Sequence, residues 1–323
     1  MQPTSLKSRI KKNLLKVKPL VALYLLVTGK QARKPDNRFK HLLGMTTSQE
    51  RRMFNDYGER LYTGAGEIVD LGCWLGSTTV PLAEGLLANR AFDRKTRKIY
   101  AYDLFIWGDW MNVQGSYLDG RYKEGDSFVD AYRDVIKPYA DLVDVNAGDL
   151  CVLGWKARKP IEFLLIDAMK SWELANAIVR DFFPFLIPGK SHVLHQDFAH
   201  FYTPWIHLLM FRFRDHFALV EDVTNGGSTL FRYTRPIPPA DLARSYGFAD
   251  FTDEEVDRAF EYSLQLVHPH KRDSVWAAKA MTYVHQQQLE KGRAVVAQAR
   301  QAGIDPGNSY DFTAVNVYFK EDN

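Results

Sequence analysis

Four apolar segments, each closing on an aspartate and separated by helix-length stretches, constrain this 323-residue chain more than any other feature. They are EIVDLG (67–72) with Asp70, KIYAYDLF (98–105) with Asp103, DLVDVNAGD (141–149) with Asp149, and IEFLLID (161–167) with Asp167. A fifth, SHVLHQD (191–197), follows. Between them the periodicity predicts helices over Ser48–Leu61, Thr78–Ala88, Phe128–Tyr139 and Ser171–Phe185, the last stopped by Pro188-Gly189. Near-continuous apolar strands alternating with helices imply a parallel sheet covered on both faces. HFALVEDVTNGGSTLFRYTR (216–235) then reads strand, turn, strand, and Asn225-Gly226 predicts a tight turn with positive φ at both central residues. The expected architecture is therefore α/β: parallel strands closed by an antiparallel hairpin.

Composition narrows the class. With 46% hydrophobic and 25% charged residues the chain is an ordinary globular protein, which excludes a disordered, collagen-like or polytopic membrane chain. Two cysteines, Cys73 and Cys151, cannot build a disulfide framework or a four-thiolate zinc site, so a reducing, cytoplasmic compartment is expected. Residues 1–40 carry eleven Lys or Arg against Asp36 alone, a net +10, so the remaining residues sum to −7. This basic tip predicts an anionic partner. It reads either as a solvated arm packed on the body or a second subunit, giving a homo-oligomer, or as a helix lying peripherally on the inner membrane surface. The apolar run Leu20–Val27 is too short to span a bilayer, and no signal-peptide cleavage site follows it. No zinc-finger spacing or other nucleic-acid motif occurs, so nucleic acid is not an expected partner.

Three regions follow: a basic arm over 1–46, an α/β domain over 47–236, and a helical C-terminal appendage over 237–323. In the appendage Thr252-Asp253-Glu254-Glu255 is a capping box, Val256–Val267 is helical, and one longer helix is expected from Ser274 to Gln301, ending at Gly303.

The chemistry concentrates at strand ends. In VDLGCWLGSTT, Asp70 closes a strand and Gly72 and Gly76 frame a turn into a helix N-terminus, with Cys73-Trp74-Leu75 between them and Ser77-Thr78 after. That spacing is not the G-x-G-x-x-G of a dinucleotide site, which disfavours a nicotinamide oxidoreductase and suits a ligand without a pyrophosphate. Asp103 can accept both hydroxyls of a ribose, and Gly148-Asp149 sets a carboxylate where an adenine amino group would lie. Acids at the carboxyl ends of consecutive strands mark the ligand crevice of an open α/β sheet.

On VDLGCWLGSTT, AYDLF, NAGD, FLLIDAMKSW and the F-x-P-F-L-x-P-G-K stretch before HVLHQDF, residues 60–235 resemble the class I S-adenosylmethionine-dependent methyltransferases, Rossmann-like in fold. The likeness is strongest to the macrocin-type O-methyltransferases of sugars and small molecules. The resemblance implies S-adenosylmethionine bound by Asp70, Gly72, Cys73, Trp74, Gly76, Ser77, Thr78, Asp103, Leu104, Gly148, Asp149 and Asp167. It also implies a hydroxyl of a sugar, glycan precursor or other small molecule as acceptor, in the setting of glycan biosynthesis. Metal-dependent relatives place an acid at the end of the fourth strand and a pair after the fifth, which here gives Asp167, Gln196 and Asp197 as candidate Mg²⁺ ligands. A second acid is missing where the chain reads Asp167-Ala168-Met169-Lys170, and Gln196 weakens the set further.

If no metal is used, His195, His200 and His207 in HQDFAHFYTPWIH are candidate general bases, with Asp167 and Asp197 beside them. Each histidine could equally be structural. Lys170 and Trp172 could shape the acceptor pocket; Trp107, Trp110 and Tyr117 could wall a sugar or only cover the core. The competing class is a non-catalytic cofactor-binding or scaffold protein on the same fold.

Overall fold

The computed structural model describes residues 37–111 and 114–319. Seven strands, β1 (Glu67–Leu71), β2 (Ile99–Asp103), β3 (Val143–Ala147), β4 (Ile161–Ile166), β5 (His192–His195), β6 (Phe217–Asp222) and β7 (Thr229–Tyr233), form one sheet in the order β3-β2-β1-β4-β5-β7-β6. The first five are parallel; β7 runs antiparallel to β5 and to β6.

Alternation along the strands builds two cores. Ile68, Ala101, Phe163, Leu165 and Leu194 face α1 (Ser48–Asp56), α2 (Thr79–Ala88) and α3 (Val129–Ile136). Val69, Leu71, Leu164, Ile166 and Val193 face the other way. There they meet α5 (Trp172–Asp181), α6 (Pro204–Arg212) and the C-terminal helices, whereas α4 (Leu150–Leu153) is a single turn after β3. Each fully buried Leu, Ile or Phe contributes about 1.5–3 kcal/mol relative to exposure, so both faces of the central strands drive the fold.

The regions expected from composition pack more closely than their boundaries suggest. Residues 1–36, which hold most of the basic arm, lie outside the described residues. Residues 37–46 join the body: Phe39 and Leu42 are core residues, and the Arg51 guanidinium donates to the carbonyls of Phe39, Leu42 and Gly44 and to Thr46 Oγ1. In the C-terminal region Val256, Phe260, Val275, Met281 and Val295 belong to the same core as β1 and β4. A buried clasp fixes it to the sheet edge: Asp222 accepts from Lys271 Nζ and, at 2.6 Å, from the His268 N–H. Burial alone would raise the Asp222 pKa, but the Lys271 ammonium and the His268 donors hold it below the usual carboxylate range.

Two expectations are corrected. The single helix Ser274–Gln301 is two, α9 (Arg272–His285) and α10 (Leu289–Gln301). Gln287 adopts φ +58°, and the N–H groups of Gln287 and Gln288 return to the carbonyls of Val284 and Tyr283, a Schellman ending usually built on glycine. The preceding α8 (Asp253–Leu266) does start on the expected Thr252–Glu255 capping box, and α7 (Pro239–Ala243) and α11 (Tyr310–Val315) complete the layer. The tight Asn-Gly turn is also absent: Val223–Ser228 forms a wider loop in which none of Asn225, Gly226 and Gly227 takes a positive φ. Glycine is needed there for proximity. A Cβ on Gly226 would stand 2.2 Å from the Glu50 carboxyl carbon, and that carboxylate accepts from the Ser228 N–H and hydroxyl. No described helix is long and apolar enough to cross a membrane.

Candidate functional site

A cavity of about 480 Å³ opens at the carboxyl ends of β1 to β4, where the strand-end acids were expected to converge. Of the residues assigned to a cofactor, Gly72, Cys73, Trp74, Ser77, Thr78, Asp103, Leu104, Gly148, Asp149 and Asp167 line it; Asp70 and Gly76 do not.

The β1–α2 turn explains this division. Gly72 leaves the strand at φ +88°, and a Cβ there would meet the Asp167 carbonyl carbon at 2.9 Å, so glycine lets the exits of β1 and β4 touch. The Gly76 N–H closes the turn on the Cys73 carbonyl at 2.8 Å. Trp74, forced to φ +41°, thereby aims its N–H at Asp103 Oδ2 (2.8 Å), while the Phe105 N–H meets Oδ1 (2.8 Å). Two backbone donors thus fix the Asp103 carboxylate, and each oxygen keeps a lone pair for a ligand hydroxyl. Burial raises the Asp103 pKa while these N–H groups oppose the shift.

Asp70 instead serves the turn. Its Oδ2 accepts from the hydroxyls of Thr78 (2.8 Å) and Thr79 (2.6 Å), Oδ1 is buried without a partner, and burial pushes its pKa up to about 7. Asp149 lines the cavity and caps α4, its Oδ1 accepting from the Cys151 N–H at 2.8 Å.

These residues fit a nucleoside-bearing cofactor. The cavity has the volume, Asp103 and Asp149 supply acceptors, Leu104 and Leu150 supply apolar wall, and the indole N–H of Trp74 is buried with no protein partner.

The ends of β4 and β5 are assembled differently. Lys170 Nζ donates to Asp167 Oδ1 at 2.9 Å and also to Asp197 Oδ2. The Gln196 amide faces both carboxylates; with its nitrogen turned toward them it would reach Asp197 Oδ1 at 2.8 Å and Asp167 Oδ1 at 3.1 Å. Burial raises the Asp167 pKa and the Lys170 ammonium opposes it. Asp167, Gln196 and Asp197 therefore do not fit Mg²⁺. The position between the carboxylates already holds a cation, and no group of three His, Cys, Asp or Glu suited to a metal occurs among the described residues.

None of His195, His200 and His207 lines the cavity. His195 and His207 are fully buried with both ring nitrogens unpartnered, beside Phe198, Phe231 and Phe260, and burial pushes each down to about 3. His200 is pushed down to about 4 by burial and by Lys170. Imidazoles this weakly basic, outside the cavity lining, are poorly suited to the general-base role expected for His195 and His200.

Among the aromatic candidates only Trp110 lines the cavity, 69% exposed and stacked with Trp74 at 6.4 Å. Trp107 is core, Tyr117 is exposed elsewhere, and Trp172 packs on Phe248 and Phe251. Sequence reasoning missed Met45 and Thr46, which reach the cavity from the segment ahead of α1, and Glu173 and Leu174 on the first turn of α5. The Thr47–Glu50 capping box fixes where α1 starts but carries no sign that the chain before it turns toward the strand ends.

No protein-family model matches the chain, and no curated protein is significantly similar in sequence. Solved structures with a related arrangement include the O-methyltransferase NovP, 16% identical over 70% of this chain and 100% of that one, with a TM-score of 0.46. Calicheamicin methyltransferase CalS11 is 15% identical over 72% and 98%, with a TM-score of 0.47. Podospora anserina methyltransferase PaMTH1, solved with S-adenosylhomocysteine, is 14% identical over 73% and 99%, with a TM-score of 0.37. Likeness this distant leaves the fold to be read from the sheet itself. The order β3-β2-β1-β4-β5-β7-β6, with β7 the antiparallel strand, is that of the Rossmann-like class I methyltransferase fold.

Proposed function

We propose that this chain is an S-adenosylmethionine-dependent methyltransferase whose acceptor is a hydroxyl of a sugar, glycan precursor or other small molecule. The observation that carries this reading is the Asp103 carboxylate, pinned by the N–H groups of Trp74 and Phe105 at the lip of a cavity it shares with the β1–α2 glycine turn and Asp149. That constellation suits a ribose and an adenine without a pyrophosphate. When bound, the cofactor supplies a methyl group already activated on a sulfonium, so the chain has to orient an acceptor and receive one proton. Asp103 would hold the ribose hydroxyls, Asp149 the adenine amino group, and the Trp74 indole N–H would donate to the ligand. Trp110 and Ile106 give the acceptor an apolar wall at the mouth. Asp167, its basicity raised by burial, is the carboxylate on the cavity wall suited to receiving the acceptor proton. The +10 charge of residues 1–40 supports work close to an anionic surface, as a lipid-linked acceptor would require, on the cytoplasmic side of a membrane.

Calorimetric titration of the full chain with S-adenosylhomocysteine tests the reading. Micromolar binding is expected; absence of binding would leave a scaffold on a methyltransferase fold.

A further inference from the structure

Two carboxylates drawn together, one of them on the wall of the cavity, need a cation, and this chain supplies one from its own sequence. Asp167 closes β4 and Asp197 follows β5, on neighbouring parallel strands. Lys170 reaches both. Its backbone is held in a tight turn, the Lys170 N–H meeting the Ala168 carbonyl at 2.8 Å, immediately before Ser171 caps α5 through the Leu174 N–H. The Gln196 amide also faces these carboxylates. Lys170 thus presents hydrogen donors to both Asp167 and Asp197. A divalent ion would need the opposite, a shell of six or more oxygen lone pairs.

We propose that the Lys170 ammonium is a tethered cation standing where a divalent metal would otherwise be required, and that it positions the acceptor oxygen. An ammonium carries three N–H donors. Two are engaged by Asp167 and Asp197, and the third remains for an oxygen in the cavity, whose wall Lys170 forms with a side chain 43% exposed. Lysine is a point charge on a flexible stem, so it satisfies two carboxylates and a third partner without the fixed fork of arginine. Lys170 is a positioning residue of this kind because its turn, rather than its charge alone, sets the ammonium between two strand ends.

The proposal rests on the methyltransferase reading only for the identity of the oxygen. The cation position itself is tested without cofactor or acceptor, by titrating Mn²⁺ into the full chain and following the six-line electron paramagnetic resonance signal of the free ion. The wild-type protein is expected to leave that signal as in buffer. Lys170→Met is expected to bind Mn²⁺ at least ~10-fold more tightly than wild type, about 1.4 kcal/mol, and the added change Asp167→Asn should abolish the gain. A buried or merely structural ion pair elsewhere would not create that Asp167-dependent site. Binding of one Mn²⁺ by the wild type, lost in Asp167→Asn, would overturn the proposal. So would a folded Lys170→Met protein with no gain. Should Lys170→Met not fold, Lys170→Gln takes its place, and the wild-type arm decides independently of either. Failure of the S-adenosylhomocysteine titration would remove the methyltransferase reading and leave the Mn²⁺ result standing.

Discussion

The two halves of the strand-end crevice hold their acids by different means. On the β1–β3 side Asp103 is fixed by backbone N–H groups and Asp149 by the turn that it caps, while Asp70 is held by two hydroxyls eight and nine residues away. On the β4–β5 side Asp167 and Asp197 are held by the side chain of Lys170. The neighbouring β6–β7 loop is tied by Glu50, 178 positions from Ser228 in sequence. Backbone donors come with the turn and keep their geometry whatever the side chains become. Side-chain donors can be exchanged singly, so the second half can change its chemistry without disturbing the first.

The sharpest test of this contrast is Asp70, an acid buried with one oxygen unpartnered. Its folded pKa, about 7, lies above the 3.8 of a free aspartate. Below about pH 4 it is neutral folded or unfolded. As pH climbs toward 7 the unfolded chain ionises first, so wild type loses stability, and above 7 the loss is complete. Asp70→Asn does not titrate. Its stability relative to wild type should therefore rise between pH 4 and 7 and then level off, by on the order of 2–4 kcal/mol. Urea unfolding at a series of pH values measures this, and a flat difference would mean that Asp70 is ionised in the fold.

Asp103→Ala should come next in size, with S-adenosylhomocysteine affinity falling on the order of 100-fold, roughly 2.7 kcal/mol, as two charge-assisted hydrogen bonds are lost. Calorimetry would read it, and near-normal affinity would show that the backbone-held half is not the cofactor half. The smallest effect is expected at Gly226→Ala, where the new Cβ must displace the Glu50 carboxylate from Ser228. A thermal melt should show a loss of about 1–2 kcal/mol. If Glu50→Ala in the same background does not relieve part of it, the long-range tie does not set the loop.

What was legible follows the same line. The succession of strands and helices, the burial of both sheet faces and the gathering of acids at the strand ends come from near-continuous apolar runs and one glycine turn, all local in sequence. The loss of an acid after Asp167 was also visible, but not that Lys170 would close the gap, because its second partner lies 27 residues on, beyond another strand. His195 and His207 looked catalytic by residue type, yet the phenylalanines and tryptophan interleaved with them in HQDFAHFYTPWIH were already the mark of a core segment. Asn225-Gly226 has the composition of a tight turn. Only the approach of Glu50, from the far end of the chain, reveals that the glycine answers to crowding. Helix α9 ends on Gln287 in a conformation that glycine or asparagine would have announced and glutamine does not.

The pairing of β1 with β4 also sets an order of events. Glu67 lies beside Ile161, 94 positions later, with two strands and three connections made in between, whereas α9 and α10 pack across a three-residue break. Local helical contacts of the second kind close quickly, and non-local parallel pairing is slow. The cavity draws on both sides of that central pair, from Met45 to Leu174, and so does not exist until the pair has formed. A ligand specific for the finished cavity acts as a late lock on the whole sheet: at a hundred times its Kd it adds about 2.7 kcal/mol to the folded state alone.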